Sequence, residues 1–164
     1  MRRAHADGVL LPALLDEAFG QKSWHGTNLR GSLRGLTANQ AAWRPAPGKH
    51  SIAEIAVHCA YWKYSVRRRL RGEKRGSFAL KGSNWFDLGG PLTESAWRQC
   101  LGLLLHEHDA LRAAVAELTP AQLAGRPRDS QVSTAMLVRG VALHDVYHAG
   151  QIQIIKGLHR ARGD

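Results

Sequence analysis

The chain has 164 residues, 44% of them hydrophobic, which suits one globular domain with its own core and excludes a disordered segment. No stretch reaches the ~18 consecutive apolar residues of a membrane span, and Met1 to Asp7 lacks the apolar run and cleavage site of a signal peptide. The net charge is +10 at pH 7, and two cysteines, Cys59 and Cys100, sit inside apolar helical patterns as core residues of a reducing cytosol.

Residues 1–164 are expected to form a single domain whose helical core runs from about 9 to 157. The first helical segment, from about Val9 to Leu36, carries Leu10, Leu11, Leu14, Leu15 and Phe19 at helical spacing. Gly20, Gly26 and Gly31 predict a break in it, with Ser23-Trp24-His25-Gly26 between the halves. Thr37 is a plausible cap for a short helix through Trp43, and Arg44-Pro45-Ala46-Pro47-Gly48-Lys49 is a loop. The second long helix starts at Ser51, which forms a capping box with Glu54, and ends at Gly72; Ile52, Ile55, Cys59, Trp62, Val66 and Leu70 form its stripe.

The stretch from Glu73 to Pro91 is a long, glycine-rich connection. Its Phe78, Trp85 and Phe86 are expected to bring it back onto the bundle. Thr93 caps the third long helix, with Trp97, Leu101, Leu104, His108, Leu111, Val115 and Leu118 as its stripe, ending near Thr119-Pro120. A loop from Ala124 to Gln131 contains Gly125, Pro127 and Asp129, and the fourth helix runs from about Val132 to Lys156, with Gly157 just past it. Four helices around one core is the economical architecture, all-α with no strand alternation.

The fourth helix carries an anomaly. Leu137, Val141, His144, His148, Gln151 and Ile155 follow at spacings of four, three, four, three and four. Two histidines and a glutamine thus stand where leucine is expected, and buried polar groups need partners. A metal ion is the natural partner of a histidine pair four residues apart. A third ligand must come from a facing helix. His58, inward on the second helix between Ile55 and Trp62, is the best placed; His108, on the stripe of the third, is the competitor. His5, His50 and His159 read as exposed, and His106 faces solvent.

The basic residues Lys63, Arg67, Arg68, Arg69, Arg71, Lys74 and Arg75, and later Lys156, Arg160 and Arg162, fall at helix C-terminal ends. There cations oppose the dipole and are solvated, with an anionic substrate or surface as the other reading. No helix-turn-helix, zinc finger or aromatic strand platform is present, so sequence-specific nucleic-acid binding is not expected.

These residues resemble a known family. Ser51-Ile52-Ala53-Glu54-Ile55-Ala56-Val57-His58, with the Arg44–Lys49 loop before it, is similar to the second-helix motif of DinB-like proteins. His144-Asp145-Val146-Tyr147-His148-Ala149-Gly150-Gln151-Ile152 is similar to their fourth-helix motif. The resemblance covers about Leu10 to Lys156. It implies a four-helix bundle of up-down-down-up topology, often dimeric, with a long crossover between helices two and three. It also implies a divalent metal held by His58, His144 and His148. The superfamily includes thiol-dependent S-transferases and a mycothiol-dependent isomerase, and its name reflects DNA-damage induction rather than DNA binding.

Three neutral imidazoles leave coordination positions open, as in catalytic sites, and suit zinc, nickel or iron. The first function expected is a metal-dependent transferase joining a low-molecular-weight thiol to an electrophilic small molecule. The alternatives are a metal-dependent hydrolase, a non-enzymatic metal-binding stress-response protein, and a bundle whose core histidines are merely hydrogen-bonded. Gln151 is a candidate to bond a ligand water or substrate. Glu54 is a candidate for the free N–H of His58, though capping is its favoured role, and Trp24 and His25 are candidates for the pocket mouth. Tyr147 is expected to pack in the core. A small-molecule substrate, a homodimer and a cytoplasmic location complete the expectation.

Overall fold

Helix starts in this chain are set by small side chains that accept hydrogen bonds from the first turn. The computed structural model describes residues 2–128 and 130–163, with side chains from residue 9 onward; Asp129 and the side chain of His5 lie outside the described residues. It contains α1 (Arg2–Phe19), α2 (Leu29–Leu33), α3 (Ala38–Ala42), α4 (Ile52–Arg71), α5 (Glu94–Ala116), α6 (Pro120–Ala124) and α7 (Thr134–Arg160). No strand occurs among the described residues. Asn28, Thr37, Ser51, Thr93, Thr119 and Ser133 each accept a backbone N–H at the head of their helix. Thr37, Ser51 and Thr119 complete capping boxes with Gln40, Glu54 and Gln122. Gly72 closes α4 in a left-handed conformation.

Some boundaries differ from the sequence expectation. α1 begins at Arg2 rather than near Val9, and the chain from Gly20 to Asn28 is irregular. α6 stands just before the predicted Ala124–Gln131 loop; its signal was the capping pair Thr119 and Gln122 with Pro120 at the first helical position. α7 continues through Gly157 to Arg160, because a glycine inside a long packed helix costs only about 1 kcal/mol.

Side-chain contacts fix how the four long helices run. Arg67 meets Glu107 and Arg71 meets Glu117, so contacts advance together along α4 and α5 and these helices point the same way. On α1, Asp16 pairs with Arg112 at 2.8 Å and Phe19 stacks on His108, so α1 opposes α5. His58 meets His148, while Lys63, one turn later on α4, pairs with Asp145, earlier on α7, so α7 opposes α4. A same-direction neighbour needs a connection that travels back along the bundle, which the chain between Gly72 and Thr93 supplies. Phe86 of this connection is buried, and Phe78 lies 5.4 Å from Tyr61 and 5.3 Å from Tyr64 between ring centroids, so its aromatics do fold back.

The core has two apolar clusters. One contains Leu29, Ile52, Ile55, Cys59, Trp97, Leu104 and Ile152; the other contains Leu11, Leu15, Val66, Leu111, Val138 and Ala142. Each fully buried aliphatic side chain contributes roughly 1.5–3 kcal/mol. Between Cys59 and Val66 on α4 stands Lys63, and between Ala142 and Ile152 on α7 stands Asp145; both are 0% exposed and form an ion pair. Lys63 is therefore not part of a solvated helix end. Arg67 is also drawn in, to Glu107 and to Glu73 at 3.0 Å.

Candidate metal centre

α4 and α7 meet where His58, His144 and His148 converge. Nε2 of His144 lies 3.1 Å from Nε2 of His58 and 3.0 Å from Nε2 of His148. Metal–nitrogen bonds of about 2.0–2.1 Å at tetrahedral angles separate ligand nitrogens by roughly 3.3–3.4 Å, so a shift of a few tenths of an ångström makes room for an ion. His58 and His148 are buried and His144 half-buried. Burial, the largest cause, lowers the pKa of all three imidazoles; with the neighbouring histidines His144 falls to about 3, and His148 falls to about 4. The rings are therefore neutral at pH 7, as metal ligation requires.

Hydrogen bonds assign the lone pairs. Nδ1–H of His58 donates to the carbonyl oxygen of Asn84 at 2.8 Å, and Nδ1–H of His148 donates to Oε1 of Gln151 at 2.7 Å. Each leaves a bare Nε2 facing Nε2 of His144, which carries at most one proton for the two lone pairs. The cluster is one cation short, and that shortfall is the observation by which a divalent metal fits the donor set. Nδ1 of His144 is buried without a hydrogen-bond partner; Sγ of Cys59 and a carboxylate oxygen of Asp145 lie within 4.8 Å of one of its ring nitrogens.

The connection after α4 supplies two residues that the helix stripes do not reveal. Trp85 is sandwiched between His50 and His58, with ring centroids 3.6 and 3.8 Å apart and interplanar angles of 3° and 7°, which fixes the plane of the His58 ring. Asn84 adopts φ of 65°, the one non-glycine in the left-handed region among the described residues. There its backbone carbonyl meets His58, while its side-chain oxygen accepts Nε1–H of Trp62 at 3.0 Å. The glycine-rich composition marked this segment as special, but only the folded chain shows which residues turn inward.

The three rings open on a cavity of about 890 Å³. Its wall is largely aromatic and aliphatic, including Trp62, Trp85, Tyr147 and Ile154, with Lys49 and His50 as its other basic groups; no Asp or Glu among the described residues lines it. His50 is thus half-buried against Trp85, not an exposed loop residue. Tyr147 is 63% exposed at the cavity rim, and its hydroxyl accepts from Nε2 of Gln151 at 3.0 Å, contrary to core packing. Gln151 orients His148 through its amide oxygen and reaches the Tyr147 hydroxyl through its amide nitrogen.

The remaining candidates lie elsewhere. Glu54 accepts the N–H of Ser51 at 2.8 Å and pairs with Arg44 at 2.5 Å, so it caps α4 and does not touch His58, whose Nδ1 is taken by Asn84. Four residues along a helix put Glu54 beside His58 in projection, but the carboxylate turns back to the helix head. Trp24, 98% exposed, and His25 do not line this cavity, because the break after α1 lies on another side of the bundle. His108 is buried against Phe19 with ring centroids 3.7 Å apart, away from the cluster.

Fold and site together define a helical bundle whose second and last long helices bring three neutral imidazoles to one point, an arrangement that suits a divalent metal. The family model of the DinB superfamily matches residues 21–152, and the chain belongs to that superfamily. No curated protein and no solved structure matches the chain.

Proposed function

We propose that the protein is a metal-dependent transferase that joins a low-molecular-weight thiol to an electrophilic small molecule, with His58, His144 and His148 as ligands of a zinc, nickel or iron ion. The observation that carries this reading is the aromatic cavity, without Asp or Glu among the described residues of its wall, over three converging Nε2 atoms. Activating water at neutral pH commonly enlists a positioned general base, and no carboxylate among the described residues lines this wall to serve as one. A thiol is acidic enough to dispense with one, which sets the transferase above the hydrolase.

A divalent ion at the histidines supplies Lewis acidity that favours the anionic form of a thiol. The chain's own residues do the rest. Asn84 and Gln151 hold the rings of His58 and His148, Trp85 stacks against His58, and Trp62 and Tyr147 supply apolar wall beside them. The thiol proton leaves to solvent by way of the cavity mouth. Sulfur then bonds to the electrophilic carbon, and the leaving group departs with the electron pair of the broken bond.

We further infer that two copies associate through α7 in a reducing cytosol. Met136, Leu143, Tyr147, Ile154 and Leu158 are exposed at spacings of seven, four, seven and four, an unpartnered apolar stripe that supports association. Cys59 and Cys100 as free thiols support the compartment.

Elemental analysis of protein purified without chelator is expected to give about one divalent ion per chain. A panel of thiols with a chromogenic haloarene should then give turnover that His148→Ala abolishes with its circular dichroism intact. Metal-free native protein would overturn the site, and metal-loaded protein inert with every thiol would overturn the transferase.

A further inference from the structure

A second cavity, of about 510 Å³, lies on the far side of Trp62 from the histidines. Trp62 lines both cavities, and its ring stands 6.3 Å from that of His58 and 6.2 Å from that of His144. Ser83 and Asn84, adjacent in the chain, line one cavity each. The two spaces are therefore neighbours that share the Trp62 indole in their walls.

Their chemistry differs. The histidine cavity is mainly apolar, whereas Arg68, Arg69, Arg75 and Lys81 line the second, with no acidic residue among the described residues of its wall. Arg68 is partly satisfied by the carbonyl oxygen of Glu73 at 2.9 Å. Arg69, Arg75 and Lys81 have no ion-pair partner among the described residues, and Glu73, close by in sequence, is engaged by Arg67. Gathering four like charges around one concavity is unfavourable unless an anion compensates them. The wall is also shaped for this role, since Gly76 and Gly82, with φ of 105° and 118°, turn the backbone on either side of the segment that carries Lys81.

We propose that this basic cavity binds the anionic part of the thiol co-substrate, a small molecule with two or more carboxylate or phosphate charges, while its sulfur reaches past Trp62 to the histidines. The spanning part of this statement rests on the transferase reading; anion binding itself does not. The walls favour a small molecule over single-stranded nucleic acid. Strand binding uses exposed aromatic faces, but Tyr64 is buried here, and Tyr61 and Phe78 pack against each other and Phe86.

The test is calorimetric titration of the intact, metal-loaded protein with inorganic pyrophosphate. It is repeated on the triple variant Arg69→Gln, Arg75→Gln, Lys81→Gln and on the exposed single variant Lys81→Gln, which preserves the fold if the triple does not. Saturable binding that weakens at least tenfold in the triple variant and about threefold in the single one, with metal content unchanged, is the expected result. Unchanged affinity in the variants, or no binding to wild type, would overturn the proposal. Variant-sensitive binding of a single-stranded oligonucleotide without pyrophosphate binding would overturn it in favour of nucleic acid.

Kinetics separate this proposal from the function on which part of it rests. The triple variant should raise KM for mercaptosuccinate, a dianionic thiol, at least tenfold with kcat held, and leave KM for neutral mercaptoethanol alone. Equal effects on both thiols would overturn the spanning arrangement. A protein inert with all thiols that still shows variant-sensitive pyrophosphate binding would defeat the transferase and uphold the anion site.

Discussion

Replacing Asn84 tests whether backbone conformation in the α4–α5 connection tunes the metal centre. Asn84 holds φ of 65° and supplies two acceptors, its carbonyl to His58 and its side chain to Trp62. Asn84→Ala loses the Trp62 bond, about 0.5–1.5 kcal/mol, and adds a left-handed penalty of roughly 1–2 kcal/mol for a residue with a plain Cβ. The cheapest relief is rotation out of that conformation, which carries the carbonyl away from Nδ1 of His58. Loss of such an outer partner typically lowers metal affinity 10–100-fold. Asn84→Gly loses the same Trp62 bond but keeps the left-handed backbone at no steric cost, so its metal affinity should stay within about threefold of wild type. Competition with a chromogenic chelator gives both dissociation constants, and thermal melting confirms that each variant folds. Equal losses in the two variants, or full affinity in Asn84→Ala, would refute the argument that conformation positions the acceptor.

Four further outcomes follow from other groups in the bundle. Lys63→Met leaves Asp145 unpaired at 0% exposure and should cost about 3–5 kcal/mol in urea denaturation, whereas Lys63→Met with Asp145→Leu should recover most or all of that. His108 is lowered to about 3, chiefly by burial, while an unfolded histidine titrates near 6.5. Its neutral burial therefore carries no penalty above pH 6.5, and stability falls as the unfolded state takes up the proton between pH 6.5 and 3. At pH 5 the loss is about 2 kcal/mol, and His108→Phe should flatten that part of the urea-measured profile. Glu54→Ala, which removes a cap and the Arg44 pair, should lower stability by about 1–2 kcal/mol and leave metal affinity alone. Gln151→Leu should do the opposite, weakening metal affinity about 10-fold or more with little change in Tm.

The helices and the histidine convergence were legible because both follow local rules. Ser51 and Glu54 announce the start of α4, Gly72 its end, and His144 and His148 share a face by spacing alone. Bringing His58 to them needs the third dimension, but an inward polar residue on a facing helix leaves few choices. Residues outside helices obey no such period. Asn84, Trp85 and His50 reach the site through loop paths set by tertiary contact, and Trp24 and His25 miss it for the same reason. Glu54 shows the limit of spacing even within a helix. Two acceptable partners competed for its carboxylate, and the N–H at the helix head, with Arg44, won over His58.

The stripe on α7 also needed correction by about one residue. Reading His144 as the core position puts Asp145 outside, yet Asp145 is fully buried and His144 is not. The helix is rotated so that Val138, Ala142, Asp145, Ala149 and Ile152 face the centre, while His144 and His148 border the cavity. That rotation resolves the anomaly of polar residues in a core stripe, because the histidines line a wall and do not fill the interior. It also transfers the polar cost to Asp145, which Lys63 answers from α4. Adjacent residues on one helix thus serve different ends. Asp145 locks α7 against α4 at the level of the histidines, so the ion pair restricts sliding or rotation of the two helices that the ligand nitrogens could not follow. Replacing both Lys63 and Asp145 with apolar residues should therefore preserve stability yet loosen the cluster. Its signature would be weaker metal binding at undiminished Tm; unchanged affinity would reduce the pair to a purely structural contact.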